Sequence, residues 1–138
     1  MVKLLIVTHG PFAEALKESA RMFFGDSVNK IATIGLFPTD SPESLQGKIT
    51  DEIVSNDEGD GYMIFVDVFG GSPFNMSALA IEDLKNEHPI QCFAGVNMPL
   101  LVEALSSVED GMNLDNLVEH LEETVGDTII NVRKTLEI

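Results

Sequence analysis

With 138 residues, 44% hydrophobic and 22% charged, the chain has the size and composition of one folded domain, not of a disordered segment. Its 8 basic and 23 acidic residues give a formal net charge of −15, which argues against nucleic acid or anionic membrane as a partner, because phosphate recognition relies on Lys and Arg. The lone Cys92 can form no internal disulfide, and no stretch reaches the roughly 20 apolar residues that span a bilayer, so the chain reads as soluble and cytoplasmic.

Taken in chain order, short apolar runs alternate with segments of helical period, the pattern of a parallel α/β sheet. Lys3 to Thr8 is a nearly continuous apolar run, as expected for a central strand covered on both faces. A helix follows, with Phe12, Leu16, Ala20 and Phe23 at helical spacing, ending near Gly25. Lys30 to Leu36 reads as the second strand. Asp40 or Ser41 caps the next helix, whose inward stripe is Leu45, Ile49 and Ile53. Gly59 and Gly61 bracket the loop before a third strand, Tyr62 to Val68. The third helix opens at Ser72-Pro73 and turns Met76, Leu79, Ala80 and Leu84 inward. Ile90 to Ala94 is the fourth strand, followed by a short helix from Asn97 and another over Leu114 to Val125. Thr128 to Lys134 is β-branched enough for a strand, yet Val125, Ile129, Val132 and Leu136 also fit a helix, and both readings stay open. There is no internal repeat or linker, and residues 1–138 read as a single α/β domain with a doubly wound, mostly parallel sheet of order 2-1-3-4.

Three strands run into the same grammar, a polar residue and then a proline just inside a helix: His9-Gly10-Pro11, Ser72-Pro73 and Asn97-Met98-Pro99. Helix N-termini carry unpaired N–H groups and the positive dipole end, so each suits an anion. Ligands of open α/β sheets gather where the strand order reverses, here between strands one and three, which puts His9 and Asp67 across one crevice. A carboxylate on Nδ1–H fixes the imidazole tautomer and leaves Nε2 with a free lone pair. Gly70-Gly71-Ser72 adds backbone that can approach a phosphate closely. Each element alone is more often a turn or a cap; their convergence points to phosphoryl transfer through histidine. His88 and His120 read as surface residues, and no metal-ligand cluster or cofactor motif is evident.

Three stretches carry a resemblance: IVTHGPFAEAL near the start, FVDVFGGSPFNMSA over Phe65 to Ala78, and AGVNMPLLVEAL over Ala94 to Leu105. In order and spacing the chain resembles the IIA components of the mannose, fructose and sorbose class of bacterial sugar phosphotransferase systems. The resemblance implies that His9 is phosphorylated, that Asp67 is its partner, and that Gly71, Ser72 and the loop around Asn97 surround the phosphate. It also implies a fifth, antiparallel strand exchanged in a homodimer, favouring a strand over Thr128 to Lys134, and a separate IIA subunit without a IIB domain. Some members carry Thr-Trp where this chain has Val68-Phe69, which removes one hydroxyl from the phosphate's surroundings.

The function so implied is a cytoplasmic phosphotransferase component that needs neither metal nor cofactor. His9 takes a phosphoryl group from phospho-HPr and passes it to a IIB component, and the membrane IIC and IID components are reached only indirectly. The alternatives are a regulatory domain that senses phosphorylation and a phosphocarrier serving a dihydroxyacetone kinase; the Gly70 to Asn75 motif points away from the second. A receiver domain would need an acidic pair after strand one, where Thr8-His9-Gly10 stands. The sugar is not encoded in a subunit that meets only proteins.

Overall fold

Because the first and third strands are apolar on both faces, each face must be covered, and the chain builds three layers to do so. A computed structural model describes all residues, 1–138. The sheet consists of β1 (Lys3–His9), β2 (Ala32–Leu36), β3 (Tyr62–Val66) and β4 (Ile90–Ala94), all parallel, in the order β2-β1-β3-β4. The helices are α1 (Phe12–Phe24), α2 (Pro42–Asn56), α3 (Ser72–Leu84), α4 (Met98–Glu109), α5 (Leu114–Thr124) and the short α6 (Val132–Leu136). No helix is long and apolar enough to cross a membrane.

Strand alternation sorts the core into two halves. Leu4 and Ile6 of β1 join Met63 and Phe65 of β3 beneath α1, α4 and α5. Leu5 and Val7 join Tyr62, Ile64 and Val66 beneath α2 and α3. The alternation continues to the strand's end: Thr8 turns to the α1 side and His9 to the α3 side. Cys92 stands in β4 opposite Ile64 and packs against the second half of the core, where burial pushes its thiol up to about 12.

The four-stranded order and the α2 stripe of Leu45, Ile49 and Ile53 agree with the sequence reading, and several boundaries do not. Residues Gly25–Lys30 form a 3₁₀ turn, so β2 begins at Ala32 rather than Lys30. β3 ends at Val66, two residues short of Val68, because Asp67 leaves the ladder to bond His9. On α1 the buried face is Ala13, Leu16 and Ala20, while Phe12 and Phe23 face solvent; the small alanines let the helix lie close to the sheet. On α3, Ser77 takes the buried place expected of Leu79, which is exposed.

No fifth strand forms in the single chain. Gly126 breaks α5 into a 3₁₀ turn, and α6 is capped by the Asn131 side chain, which accepts from the Lys134 amide at 3.1 Å. The segment's amides bond locally, Thr135 to Asn131 and Ile138 to Arg133, instead of to a ladder. Of the two readings left open, the helical one holds over Val132–Leu136.

Candidate functional site

The carboxyl ends of β1 and β3 lie side by side at the reversal of strand order, and the two residues leaving them meet. The His9 backbone amide donates to Asp67 Oδ2 at 3.0 Å, and His9 Nδ1 lies 2.8 Å from the same oxygen. Asp67 Oδ1 accepts from the Val68 amide at 3.0 Å. The carboxylate is therefore locked by three contacts, with only 13% of its side chain exposed against 50% for the imidazole. Burial pushes the Asp67 carboxyl up, but the His9 amide, the His9 ring and the Val68 amide outweigh it and hold it below its ordinary value. An ionised Asp67 keeps Nδ1 protonated, and Nε2, which has no hydrogen-bond partner in the chain, presents its lone pair outward.

Gly71 is the floor of this site. A Cβ there would stand 2.9 Å from His9 Cε1 and 3.1 Å from Val68 Cγ2, so only glycine lets the ring lie where it does. The same residue is the N-cap of α3 and has no side chain with which to cap it. By contrast α2, α4 and α5 are capped by Ser41, Asn97 and Asn113. Beyond Gly71 the amides of Ser72 and Phe74 find no acceptor in the chain, and Pro73 has no N–H to offer. An open helix N-terminus thus begins against the His9 ring, where its dipole would favour an anion.

His9, Asp67 and Gly71 are brought into contact, with Ser72 opening the helix beside them. Asn97 is placed differently. Its Oδ1 accepts from the Leu100 amide at 3.0 Å, and its Nδ2 reaches Gly95 O at 3.4 Å and Thr128 Oγ1 at 3.2 Å. It makes no hydrogen bond to His9 or Asp67. Around the site the surface is apolar: Phe12, Val68 and Phe69 are exposed, and Phe69 packs on Phe74 with ring centroids 4.7 Å apart.

Sequence reasoning missed a second histidine–aspartate pair at the opposite end of the sheet. His88 Nδ1 lies 2.8 Å from Asp57 Oδ2, and the Asp57 side chain is only 3% exposed. Far from being a surface residue, His88 closes the loop before β4 onto the loop before β3. The available signal was positional, since neighbouring parallel strands start side by side. His120 is also engaged, through Nε2 to Glu103. A cavity of about 510 Å³ opens at that same lower end, but its polar groups are already paired, Tyr62 with Glu52 at 2.7 Å and Lys30 with Glu109 at 3.2 Å. No group of three or more His, Cys, Asp or Glu side chains converges to hold a metal ion.

A parallel α/β sheet with an imidazole–carboxylate pair at its reversal point, backed by an uncapped helix, places an unpartnered imidazole nitrogen beside open backbone amides. Residues 3–122 match the family model described as the fructose IIA component of the phosphotransferase system, and the chain belongs to that family. It is 35% identical over 121 residues to the fructose-specific EIIA component of Bacillus subtilis strain 168, covering 88% of this chain and 80% of that protein. It is 36% identical over 123 residues to the mannose-specific EIIAB component of Escherichia coli K12, covering 89% of this chain and 37% of that protein. The chain therefore spans about a third of that longer relative. In structure it is similar to a phosphotransferase system component EIIA from Streptococcus agalactiae, with a TM-score of 0.86, 22% identity and coverage of 97% and 99%, which shows a shared fold.

Proposed function

We propose that this chain is a cytoplasmic phosphocarrier for sugar uptake, taking a phosphoryl group from phospho-HPr onto His9 and giving it to a histidine of a IIB component. The observation that carries the reading is the 2.8 Å contact between Asp67 and His9 Nδ1, which leaves Nε2 free beside the open start of α3. The Nε2 lone pair forms the new N–P bond as the P–N bond to the donor imidazole breaks. Asp67 faces the positive charge that the phosphorylated ring carries, while the amides of Ser72 and Phe74 and the Ser72 hydroxyl receive the phosphoryl oxygens. Little further covalent chemistry is needed, so positioning and charge stabilisation supply the catalysis.

Four of the chain's eight basic side chains are held elsewhere, which favours the amides and the Ser72 hydroxyl over a cationic side chain as the phosphate's partners. Lys3, Arg21, Lys30 and Lys85 are each paired with a carboxylate of this chain away from His9. Incubation with phosphoenolpyruvate, enzyme I and HPr is expected to place one acid-labile phosphate on His9. A label on any other residue, or none, overturns the reading.

The exposed apolar tail, with Ile129, Ile130, Val132, Leu136 and Ile138 all uncovered, supports a homodimer in which this segment exchanges as a strand. Truncation after Gly126 should then give a monomeric or insoluble chain. A full-length protein that sediments as a monomer at micromolar concentration rules the dimer out.

A further inference from the structure

We propose that Thr8 is a positioning residue for phosphoryl transfer, its buried hydroxyl fixing the turn that carries His9; the proposal rests on the phosphocarrier reading. Thr8 is fully buried, and its Oγ1 accepts from the Ala13 amide at 2.8 Å. What sets this bond apart is what it spans. The chain between its two ends is His9-Gly10-Pro11-Phe12, so the contact closes a loop around the nucleophile.

The geometry follows from a shortage at the start of α1. Its N-cap residue is Pro11, which makes no side-chain cap bond, whereas α2, α4 and α5 are each capped by the residue at their own N-cap position. An orphan first-turn amide that is buried costs stability unless it is paired. Here the acceptor comes from five residues back, from inside β1, and strand alternation alone delivers it. Thr8 follows Leu4 and Ile6 onto the α1 side of the sheet, while Leu5, Val7 and then His9 take the α3 side.

Two further amides tie the same turn. His9 N donates to Asp67 Oδ2 at 3.0 Å, and Gly10 N donates to Leu36 O at 2.7 Å with Gly10 at a φ of +57°. Successive anchors to β3, β2 and α1 leave the His9 Cα little freedom, so the ring's place between Asp67 and Gly71 is set by the backbone beneath it. Of the three, only the Thr8 anchor depends on a side chain without a partner in the transfer itself. In-line transfer needs Nε2 within a fraction of an ångström of its place, and an error of about 1 Å costs on the order of 100-fold in rate.

The test uses the full-length chain and three variants, Thr8→Val, Thr8→Ala and Thr8→Ser. Valine keeps the shape and removes the hydroxyl; serine keeps the hydroxyl and removes the methyl. Two quantities are read on folded protein: the ¹⁵N signals of the His9 ring, and the maximal rate of phosphorylation with its half-saturating HPr concentration. Thr8→Val should shift the ring signals and lower the maximal rate by roughly 10- to 100-fold with the half-saturating concentration unchanged. Thr8→Ser should restore both. If Thr8→Val melts earlier but keeps wild-type ring signals and rate, Thr8 is merely a cap and the proposal is overturned. Should valine prevent folding, Thr8→Ala takes its place, and amide exchange in the unmodified protein decides independently. There Ala13 must exchange more slowly than the other first-turn amides of α1, and equal rates overturn the proposal. If the unmodified chain accepts no phosphate, the phosphocarrier reading fails and takes the transfer role of Thr8 with it, and ring signals that respond to Thr8 would then show only that its hydroxyl fixes the imidazole.

Discussion

The two ends of the sheet carry the same pair of side chains in opposite surroundings. At the carboxyl end, His9 is half exposed and its partner Asp67 is braced by the amides of His9 and Val68. At the amino end, His88 Nδ1 meets Asp57 at the same 2.8 Å, and Asp57 Oδ1 accepts from the amides of Gly59 and Gly61 at 3.0 Å. The difference lies in what adjoins each imidazole. His9 faces the open N-terminus of α3, whereas the His88 amide bonds Leu84 O at that helix's C-terminus. One end of a helix dipole welcomes a phosphoryl group and the other repels it. An imidazole–carboxylate pair is therefore not a site by itself; its position along the parallel helices decides.

The sharpest way to break this comparison is to exchange histidines. His9→Gln should abolish phosphoryl acceptance, while His88→Gln and His120→Gln should leave it intact; stoichiometric labelling with phosphoenolpyruvate measures both. Residual label in folded His9→Gln protein would place the phosphoryl acceptor on another residue and break the comparison.

Next come the carboxylates. Asp67→Asn keeps an acceptor but lets the wrong tautomer compete, so transfer should slow by about 10- to 100-fold, less than for a triad enzyme because the reaction is easier. Asp57→Asn should leave the rate alone and instead lower stability by about 1–2 kcal/mol, as the bonds at a buried carboxylate weaken. The rate should therefore fall in Asp67→Asn alone, while the denaturant midpoint falls in Asp57→Asn and, through loss of its own lowered carboxyl, in Asp67→Asn as well. If Asp57→Asn slows transfer as much as Asp67→Asn, the distinction collapses.

Gly71→Ala is expected to cost less, roughly tenfold in rate, because the half-exposed ring can tilt away from the new methyl while losing its seat. Its melting temperature should stay near that of the unmodified protein. A rate equal to wild type would show that the ring does not rest on Gly71.

The smallest effect is on acid stability. At Asp57 burial pushes the carboxyl up, but the His88 ring and the amides of Gly59 and Gly61 more than offset it, and Asp67 is lowered in the same way. Groups lowered by folding stabilise the protein above their unfolded value, about 3.9, and that stability is lost as pH falls through the folded value. Thermal melts below about pH 4 should thus decline, and either Asn variant should flatten the decline. Unflattened acid limbs in both would remove the electrostatic part of the argument.

How much of this could be read from residues alone depends on how local each cause is. β1 and β3 were legible because a strand covered on both faces has to be apolar throughout, and the reversal of order then places His9 beside Asp67. The face of α1 was misread because large side chains look like core, whereas the close approach to the sheet selects Ala13 and Ala20 and leaves Phe12 and Phe23 outside. The His88–Asp57 pair joins residues 31 apart through two loop conformations that no periodicity encodes. Over Thr128 to Lys134 both periods fit, and the single chain resolves the tie through the local cap at Asn131.

Cys92 gives the fold a chemical reporter. It is half-buried in β4, and with its thiol pushed up to about 12 by burial, the folded protein at neutral pH holds far fewer thiolates than an unfolded chain, and it is the thiolate that alkylates. Modification by a thiol reagent should therefore be slower in the folded protein than in the unfolded chain. Because β4 lies at the sheet's edge and Cys92 is the chain's one cysteine, a single mass increment of the intact protein reports how well that edge is kept. The same measurement in the presence of any protein that covers the edge would read its residence there as a further slowing.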